Sequence, residues 1–411
     1  TTEPPEGLAE AASRTGCAVL RADGDDGEEF LLRLAAEWRR RNPGWVVVGV
    51  TGSVGKTTTK DLVACALSCR YRVHKTAGNY NNLIGMPLTL FAAPDDAEVL
   101  VVEMGMNHKG ELSRLTRAAL PDVALVTNVG TSHIGFLGSR ENIARAKAEI
   151  VEGMGTRMDG VGPCLVLGSF DEFTPLIRDA YAAPAQIPCV SVGSNPSDEV
   201  RLVAAEVTPD GLPRMTVEFA DGWSGEATLS IPGRHVAVDA LFALAIADRL
   251  GVDRASALDA IAAMPAATMR LEVLSAPGRP RVIDDTYNSS PSSVAAALDV
   301  LCSMACEGRR VAVIGEIGEL GDDARELHGL VGAYAAAKPL DMLVFVGGEM
   351  ADVMSVAATT MGFSADRLVV LPDAEAALST IGPVLEEDDL VLAKASRSVG
   401  LDVFSKGVSR S

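Results

Sequence analysis

The chain has 411 residues, 48% of them hydrophobic and 22% charged, so at roughly 100–200 residues per domain it has room for two to four domains and is not mainly disordered. Its 36 basic and 55 acidic residues give a net charge of −19, which argues against a nucleic-acid binder or a protein of anionic membrane surfaces. No apolar run reaches the roughly 18 residues that insert into a membrane, and seven cysteines without metal-site spacing predict reduced, buried thiols in a cytoplasmic protein.

The predicted elements fall into three consecutive parts of the chain. One strand near 16–23 and one helix near 28–41 are too little for a complete domain. Short β-branched runs then alternate with helical patterns, which is typical of a doubly wound, mostly parallel α/β sheet, and 200–231 predicts an antiparallel meander. A second strand–helix series predicts a further α/β domain. We therefore expect an N-terminal remnant and linker at 1–45, a central domain at 46–270 and a C-terminal Rossmann-like domain at 271–411.

The strongest chemical motif is a glycine-rich turn between the first β-branched run and the helix after it. The glycines allow backbone N–H groups to face a polyphosphate, and the helix N-terminus adds the positive end of its dipole. Lys56 can reach the β- and γ-phosphates, and the Thr57 hydroxyl can ligate Mg²⁺. The turn is not the strict eight-residue phosphate loop, because Val50 stands where that loop has glycine. The predicted nucleotide-binding residues are Thr51, Gly52, Ser53, Val54, Gly55, Lys56, Thr57 and Thr58.

Three residues farther along the chain are candidates for the same site. Glu103 ends an apolar run, and a carboxylate at the end of a strand beside a phosphate loop suits Mg²⁺. His133 follows the third parallel run and is a candidate second-metal ligand or phosphate contact, although a loop histidine is often structural. Lys147 lies in a helical pattern and on its own is typical of a solvated surface lysine.

In order and spacing, these motifs resemble the Mur ligase family from about residue 40 to the end of the chain. The resemblance is carried by TGSVGKTTTK, GNYNNLIGMPLTL, EMGMNHKGE, TNVGTSHIGFLGS and ARAKAEI. The segments DDTYNSSPSS, GEIGELG and KASRSVGLD resemble the members that add D-alanyl-D-alanine. The resemblance implies a cytoplasmic, monomeric, ATP-dependent amide ligase of peptidoglycan synthesis with two Mg²⁺ sites. It further implies UDP-N-acetylmuramoyl-tripeptide and D-alanyl-D-alanine as substrates, joined through an acyl phosphate.

The resemblance also implies a role for each matching residue. The implied catalytic residues are Lys56, Glu103, His133 and Lys147, and Lys147 matches the lysine that many members carbamylate. The implied metal ligands are Thr57, Glu103, His133 and the modified Lys147. Further nucleotide contacts are implied for Arg270, Asp285, Tyr287 and Asn288, and substrate contacts for Asn79, Asn81, Asn82, Lys394, Ser396 and Arg397.

The sequence departs from the family pattern close to the nucleotide. Val54, Val236 and Asp239 stand where asparagines are usual, and Ala395 replaces a glycine. Two alternatives therefore stay open, namely a Mur-type ligase for another amine and a paralogue that binds nucleotide without turnover. The family's UDP-binding domain is expected to be represented by 1–45 at most.

Overall fold

The computed structural model describes residues 6–19, 26–155 and 162–410, which form two β-sheets with helices on their faces. The first sheet has nine strands. In chain order they are β1 Val46–Thr51, β2 Val73–Lys75, β3 Val99–Glu103, β4 Val123–Val126, β5 Cys164–Gly168, β6 Cys189–Gly193, β7 Val200–Val207, β8 Pro213–Phe219 and β9 Ser224–Thr228.

The spatial order of the first sheet is β2-β3-β1-β4-β5-β6-β7-β8-β9. The pairs from β2 to β7 are parallel, and β7, β8 and β9 pair antiparallel, so the predicted meander is confirmed and extends the same sheet. All residues of β1, β3 and β4 are buried, as expected for strands covered on both faces. Because β1 lies between β3 and β4, the loops after these three strands meet at one edge of the sheet.

Ten α-helices accompany the first sheet in the described part of the chain. The long helix α9 is buried along most of its length and packs against α3 and β7, so it lies beside the turn that follows β1. The helices are α1 Leu8–Thr15, α2 Gly27–Arg41, α3 Lys56–Leu67, α4 Gly85–Phe91, α5 Glu111–Ala119, α6 Ile134–Leu137, α7 Arg140–Ala148, α8 Thr174–Ile177, α9 Arg234–Arg249 and α10 Arg254–Ala263.

The second sheet is smaller and almost entirely parallel. Its strands are β10 Glu272–Leu274, β11 Arg281–Asp285, β12 Arg310–Gly315, β13 Met342–Val346, β14 Leu368–Leu371 and β15 Leu390–Lys394. Their order is β10-β11-β15-β12-β13-β14, and β10 alone runs antiparallel, at an edge. The alternation of strands and helices predicted this α/β unit correctly. Its helices are α11 Pro291–Ser303, α12 Ala324–Ala336, α13 Glu349–Thr360, α14 Ala374–Ile381 and α15 Asp402–Arg410.

Two expectations need correction, and one of them lies partly outside the described residues. The strand expected near 16–23 is absent over its described part, 16–19, and the remainder is not described. The seven cysteines are free thiols, but only Cys164 is buried, whereas Cys17 and Cys69 are exposed. Among the described helices, none is both long and apolar enough to cross a membrane.

Candidate active site

A cleft of about 960 Å³ opens between the carboxyl ends of the two sheets. It is lined by the turn after β1, the ends of β3 and β4, the start of α9 and the loops after β11 and β15. Of the predicted site residues, all line this cleft except Thr51, Gly52, Lys147 and Ser396. Residues far apart in the sequence therefore meet in one cavity, with Glu103 and His133 on the same side as the phosphate loop.

Two positions of the phosphate loop require glycine. Gly52 has a φ of +149°, and a side chain there would overlap the Thr127 hydroxyl. Gly55 has a φ of +85°, directly before α3 begins, and its Cα faces Asp239. Because L-residues rarely adopt these angles, the loop's path depends on both glycines.

Asn128, a residue that sequence reasoning missed, holds the middle of this loop. Its Oδ1 accepts a hydrogen bond from the Val54 N–H at 3.1 Å, and its Nδ2 donates to the Val54 carbonyl at 3.0 Å. The Thr127 hydroxyl donates to the same carbonyl at 2.7 Å. These contacts involve only the backbone of Val54, so they do not depend on which side chain stands at this position. The signal for Asn128 was its place two residues after a buried strand.

Lys56 lies against its own loop. Its Nζ donates to the Gly52 carbonyl at 2.8 Å and to the Ser53 carbonyl at 3.2 Å. Burial lowers the pKa of Lys56, while nearby Glu103 acts in the opposite direction and Arg270 lowers it further. The lysine is thus held at the loop by groups that a bound phosphate could replace as partners.

Glu103 is anchored through both carboxylate oxygens. Oε2 accepts from the Thr57 hydroxyl at 2.9 Å, and Oε1 accepts from the Asn81 amide at 2.8 Å. The Lys60 ammonium lies 3.8 Å from Oε2, and only 2% of Glu103 is exposed. The Thr57 hydroxyl oxygen and Oε2 of Glu103 are hard donors of the kind that Mg²⁺ prefers.

Within the described ranges, no three His, Cys, Asp or Glu side chains converge on a common metal position. A cation beside Glu103 would therefore have few protein ligands. This fits Mg²⁺, which usually keeps several waters and binds substrate phosphates together with one or two protein oxygens.

His133 contacts the second half of the molecule. Its Nδ1 lies 2.8 Å from Oε2 of Glu319, a residue in the loop between β12 and α12. The His133 ring at this distance lowers the pKa of Glu319, and the charge of Lys56 adds to the effect. Sequence reasoning quoted the segment GEIGELG but did not single out this glutamate.

Lys147 is 1% exposed, so the prediction of a solvated surface lysine from the helical pattern alone was wrong. It lies in α7, beneath the cleft surface. Burial lowers its pKa well below the usual value, and the charge of Lys56 lowers it further. No hydrogen bond or ion pair is found between its ammonium and the residues that the structure describes, although Asp171 acts on it electrostatically. The neutral amine is therefore easier to form here than in an exposed lysine.

Two adjacent strands of the second sheet end in an ion pair at the cleft. Asp285 and Lys394 are direct partners in the register of β11 and β15. Lys394 Nζ lies 2.6 Å from Asp285 Oδ2 and donates to the Asn288 carbonyl at 3.0 Å. Because the Lys394 side chain is only 2% exposed, this pair fixes the start of the DDTYN loop against the sheet.

The link between the sheets carries Arg270, whose guanidinium lies 4.1 Å from the centre of the Tyr287 ring. Its neighbours Met269 and Leu271 both have positive φ angles, 63° and 52°. Arg397 reaches back toward this link and donates to the Met269 sulfur at 3.4 Å. The cation–π contact presents the arginine at the cleft between the two halves.

Other predicted residues have local structural partners. Ser396 accepts from the Gly318 N–H at 2.8 Å, away from the cleft surface. Asn82 accepts from the Gly85 N–H at 2.7 Å at the start of α4, as a turn residue would. Asn79 lines the cleft in the same loop.

Asp239 and Val236 lie on α9 beside the phosphate loop. Asp239 is 8% exposed, and burial raises the pKa of its carboxyl to about 7. Val236 is 1% exposed, packs in the core and lines the cleft. Cleft-lining residues that sequence reasoning missed also include Arg140, Phe170 and His235.

Comparisons with known proteins agree with this arrangement. The Mur ligase middle domain matches residues 50–247, and the glutamate ligase domain of Mur ligases matches residues 269–397. A curated relative from Bacillus subtilis (strain 168) is named UDP-N-acetylmuramoyl-tripeptide–D-alanyl-D-alanine ligase. It is 35% identical over 387 residues, which are 94% of this chain and 80% of the relative.

Two solved structures share the fold across both sheets. MurF from Acinetobacter baumannii has a TM-score of 0.85 at 28% identity, over 98% of this chain and 87% of that chain. MurF ligase from Thermotoga maritima, solved in complex with ADP, has a TM-score of 0.81 at 26% identity, over 98% and 91%. Both alignments include the cleft and the sheets on either side of it.

Proposed function

Because the chain belongs to the Mur ligase family, we propose that it is the ATP-dependent ligase that joins D-alanyl-D-alanine to UDP-N-acetylmuramoyl-tripeptide in peptidoglycan precursor synthesis. The observation that carries this proposal is the single cleft in which the phosphate loop and Glu103 face Asp285, Asn288 and Lys394. The name of the Bacillus relative and the ADP in the Thermotoga structure support the substrates and the nucleotide.

In the first step, the tripeptide carboxylate attacks the γ-phosphorus of ATP. An O–P bond forms, the bond to the β-phosphate oxygen breaks, and ADP leaves. Lys56 and the N–H groups of the loop hold the phosphates, and the N-terminus of α3 adds its dipole. Glu103 and Thr57 would hold Mg²⁺, which offsets the charge of the phosphates when it is bound.

In the second step, the amine of D-alanyl-D-alanine attacks the acyl carbon, and inorganic phosphate leaves from the tetrahedral intermediate. The acyl phosphate is hydrolysed by water, so the cleft has to close before this step. We assign residues 46–270 to the nucleotide half and residues 271–411 to the amine half. The ion pair of Asp285 and Lys394 supports this assignment, since it stiffens the edge that would face the amine.

Lys147 is proposed to carry a carbamate. A neutral amine attacks CO₂ to form a C–N bond and releases one proton, and the product is an anion suited to a cation site. The lowered pKa of Lys147 and its lack of a hydrogen-bond partner among the described residues support this reaction. Together with His133, it would complete the second metal site.

The reaction is assigned to the cytoplasm, where ATP is supplied and thiols stay reduced, in agreement with the seven free cysteines. The scheme assigns the reaction to a monomer.

The test is incubation of the protein with ATP, Mg²⁺ and UDP-N-acetylmuramoyl-tripeptide, together with either D-alanyl-D-alanine or meso-diaminopimelate. We expect ADP, phosphate and the pentapeptide product with the dipeptide alone. Product with diaminopimelate alone would support a ligase for another amine. ATP binding without ADP release for any amine would support the paralogue without turnover.

A further inference from the structure

We propose that Glu319 is the positioning residue for His133 and that, because it comes from the second half of the molecule, it orients the His133 ring only when the cleft is closed. The inference rests on the proposed function, since His133 is a candidate cation ligand at the phosphate site. It assigns a role to a glutamate that neither the phosphate loop nor the metal-site motifs include.

The contact joins two residues from different sheets. His133 precedes α6, and Glu319 precedes α12, yet Nδ1 and Oε2 are 2.8 Å apart. The His133 side chain is 18% exposed and the Glu319 side chain 51%. Both residues line the cleft together with Lys56.

The backbone around the contact is built for a close approach. His133 and Glu319 both have a φ of +64°, which non-glycine residues rarely adopt. Two residues beyond each of them, Gly135 and Gly321 touch, and a Cβ on Gly135 would lie 2.6 Å from the Gly321 nitrogen. Strained angles persist where the surroundings fix them, so the pairing is more than a meeting of two flexible side chains.

The close contact has a chemical consequence for the ring. A carboxylate 2.8 Å from Nδ1 favours the tautomer with the proton on Nδ1, so Nε2 keeps its lone pair. Histidines that bind metals usually have such a partner, which also makes the ring more basic. The loop before α12 thus supplies to His133 what a metal-binding histidine needs.

A purely structural role for Glu319 would leave both cation affinity and kcat unchanged when the residue is replaced. Half-exposed ion pairs contribute little to stability, so loss of Glu319 should hardly change thermal unfolding. A positioning role instead affects cation affinity and kcat. These two readouts separate the roles.

The experiment measures binding of Mn²⁺ to the full chain in the presence of ADP, by electron spin resonance of the free ion. Glu319→Ala removes the acceptor, and Glu319→Gln keeps an oxygen that can accept. Asp322→Ala, an exposed acidic residue of the same loop, is the matched control. We expect about tenfold weaker Mn²⁺ binding for Glu319→Ala, within about threefold of wild type for Glu319→Gln, and no change for the control. The kcat should fall in Glu319→Ala with little change in KM for ATP.

Wild-type Mn²⁺ affinity in Glu319→Ala would overturn the inference, as would an equal loss in Asp322→Ala or in Glu319→Gln. If Glu319→Ala does not fold, Glu319→Met takes its place, because it keeps the length of the side chain without an acceptor. A wild-type protein that binds no Mn²⁺ with ADP would overturn the proposed function as well. Normal wild-type binding with an unaffected Glu319→Ala would overturn the inference alone.

Discussion

Burial sets the charge of two side chains close to the phosphate loop. It raises the pKa of the Asp239 carboxyl to about 7, and it lowers the pKa of Lys147 well below the usual value. The sequence did not indicate the burial of Lys147, because a helical lysine with charged neighbours is typical of an exposed face. Lys56, in contrast, follows a motif whose chemistry is local, so its place in the cleft could be foreseen.

Asp239→Asn should remove a pH dependence of stability. The folded pKa of about 7 exceeds the usual value of 3.8, so the folded state keeps a proton that the unfolded state loses. Stability is therefore lost as pH rises through 7, by about 1.4 kcal/mol between pH 6 and pH 8. Urea unfolding at both pH values should show this loss in wild type and not in the variant. The same pH dependence in both proteins would contradict the assignment.

Lys147→Ala should lower ligase activity by about 10–100-fold, since the cation site loses an anionic partner. A short carboxylate such as acetate should restore part of the rate by occupying the vacated space. Lys109→Ala, at an exposed lysine, is the control and should remain fully active without acetate. Wild-type rates in Lys147→Ala without rescue would dismiss the carbamate.

At the scale of elements, strand and helix patterns predicted most of both sheets. The alternation at 200–231 identified the meander, because each strand has one exposed face. The strand β2 was missed, since three residues of mixed burial leave no periodic signal. Helix α4 was missed for a similar reason, because its seven residues complete only about two turns.

Asn128 links the loop after β4 to the loop after β1, and Asn128→Ala should loosen that link. The Val54 N–H would lose its acceptor, and the Val54 carbonyl would lose one of its two donors. ADP binding then has to order the loop, so we expect about tenfold weaker affinity, equivalent to about 1.4 kcal/mol. Thr127→Val removes one contact to the Val54 carbonyl. It should lower the ADP affinity, measured by calorimetry, less than Asn128→Ala does. Unchanged affinity in Asn128→Ala would show that the loop is rigid without it.

At the scale of the whole molecule, the approach of the two sheets was not predictable. Motif matching indicated that residues of the second half face the nucleotide, but the contact itself joins Gly135 and Gly321, which carry no side chain and no chemical signature. The pair of His133 and Glu319 beside them could be found only once the chain was folded. Long-range packing between domains therefore limited the sequence analysis.

Gly135→Ala should hold the two halves apart. The added methyl group would lie 2.6 Å from the Gly321 nitrogen, so the backbones have to separate. We expect a larger radius of gyration in X-ray scattering with ATP and a kcat lower by about tenfold or more, since small misplacements of reacting groups cost rate. Gly329→Ala, in α12 with open space around it, should behave like wild type. A compact, fully active Gly135→Ala would exclude this contact from closure.

The hydrogen bonds from Asn128 to the main chain of residue 54 have a consequence for evolution. Since the asparagine bonds only the N–H and carbonyl groups of that residue, mutation can replace the side chain at position 54 without breaking these bonds. Sequence variation is therefore tolerated at position 54, although Gly52 and Gly55 on either side of it have to stay glycine. Searches that demand a fixed residue there would overlook chains of this kind, and a better search would pair the two glycines with an asparagine two residues after the adjacent strand, β4.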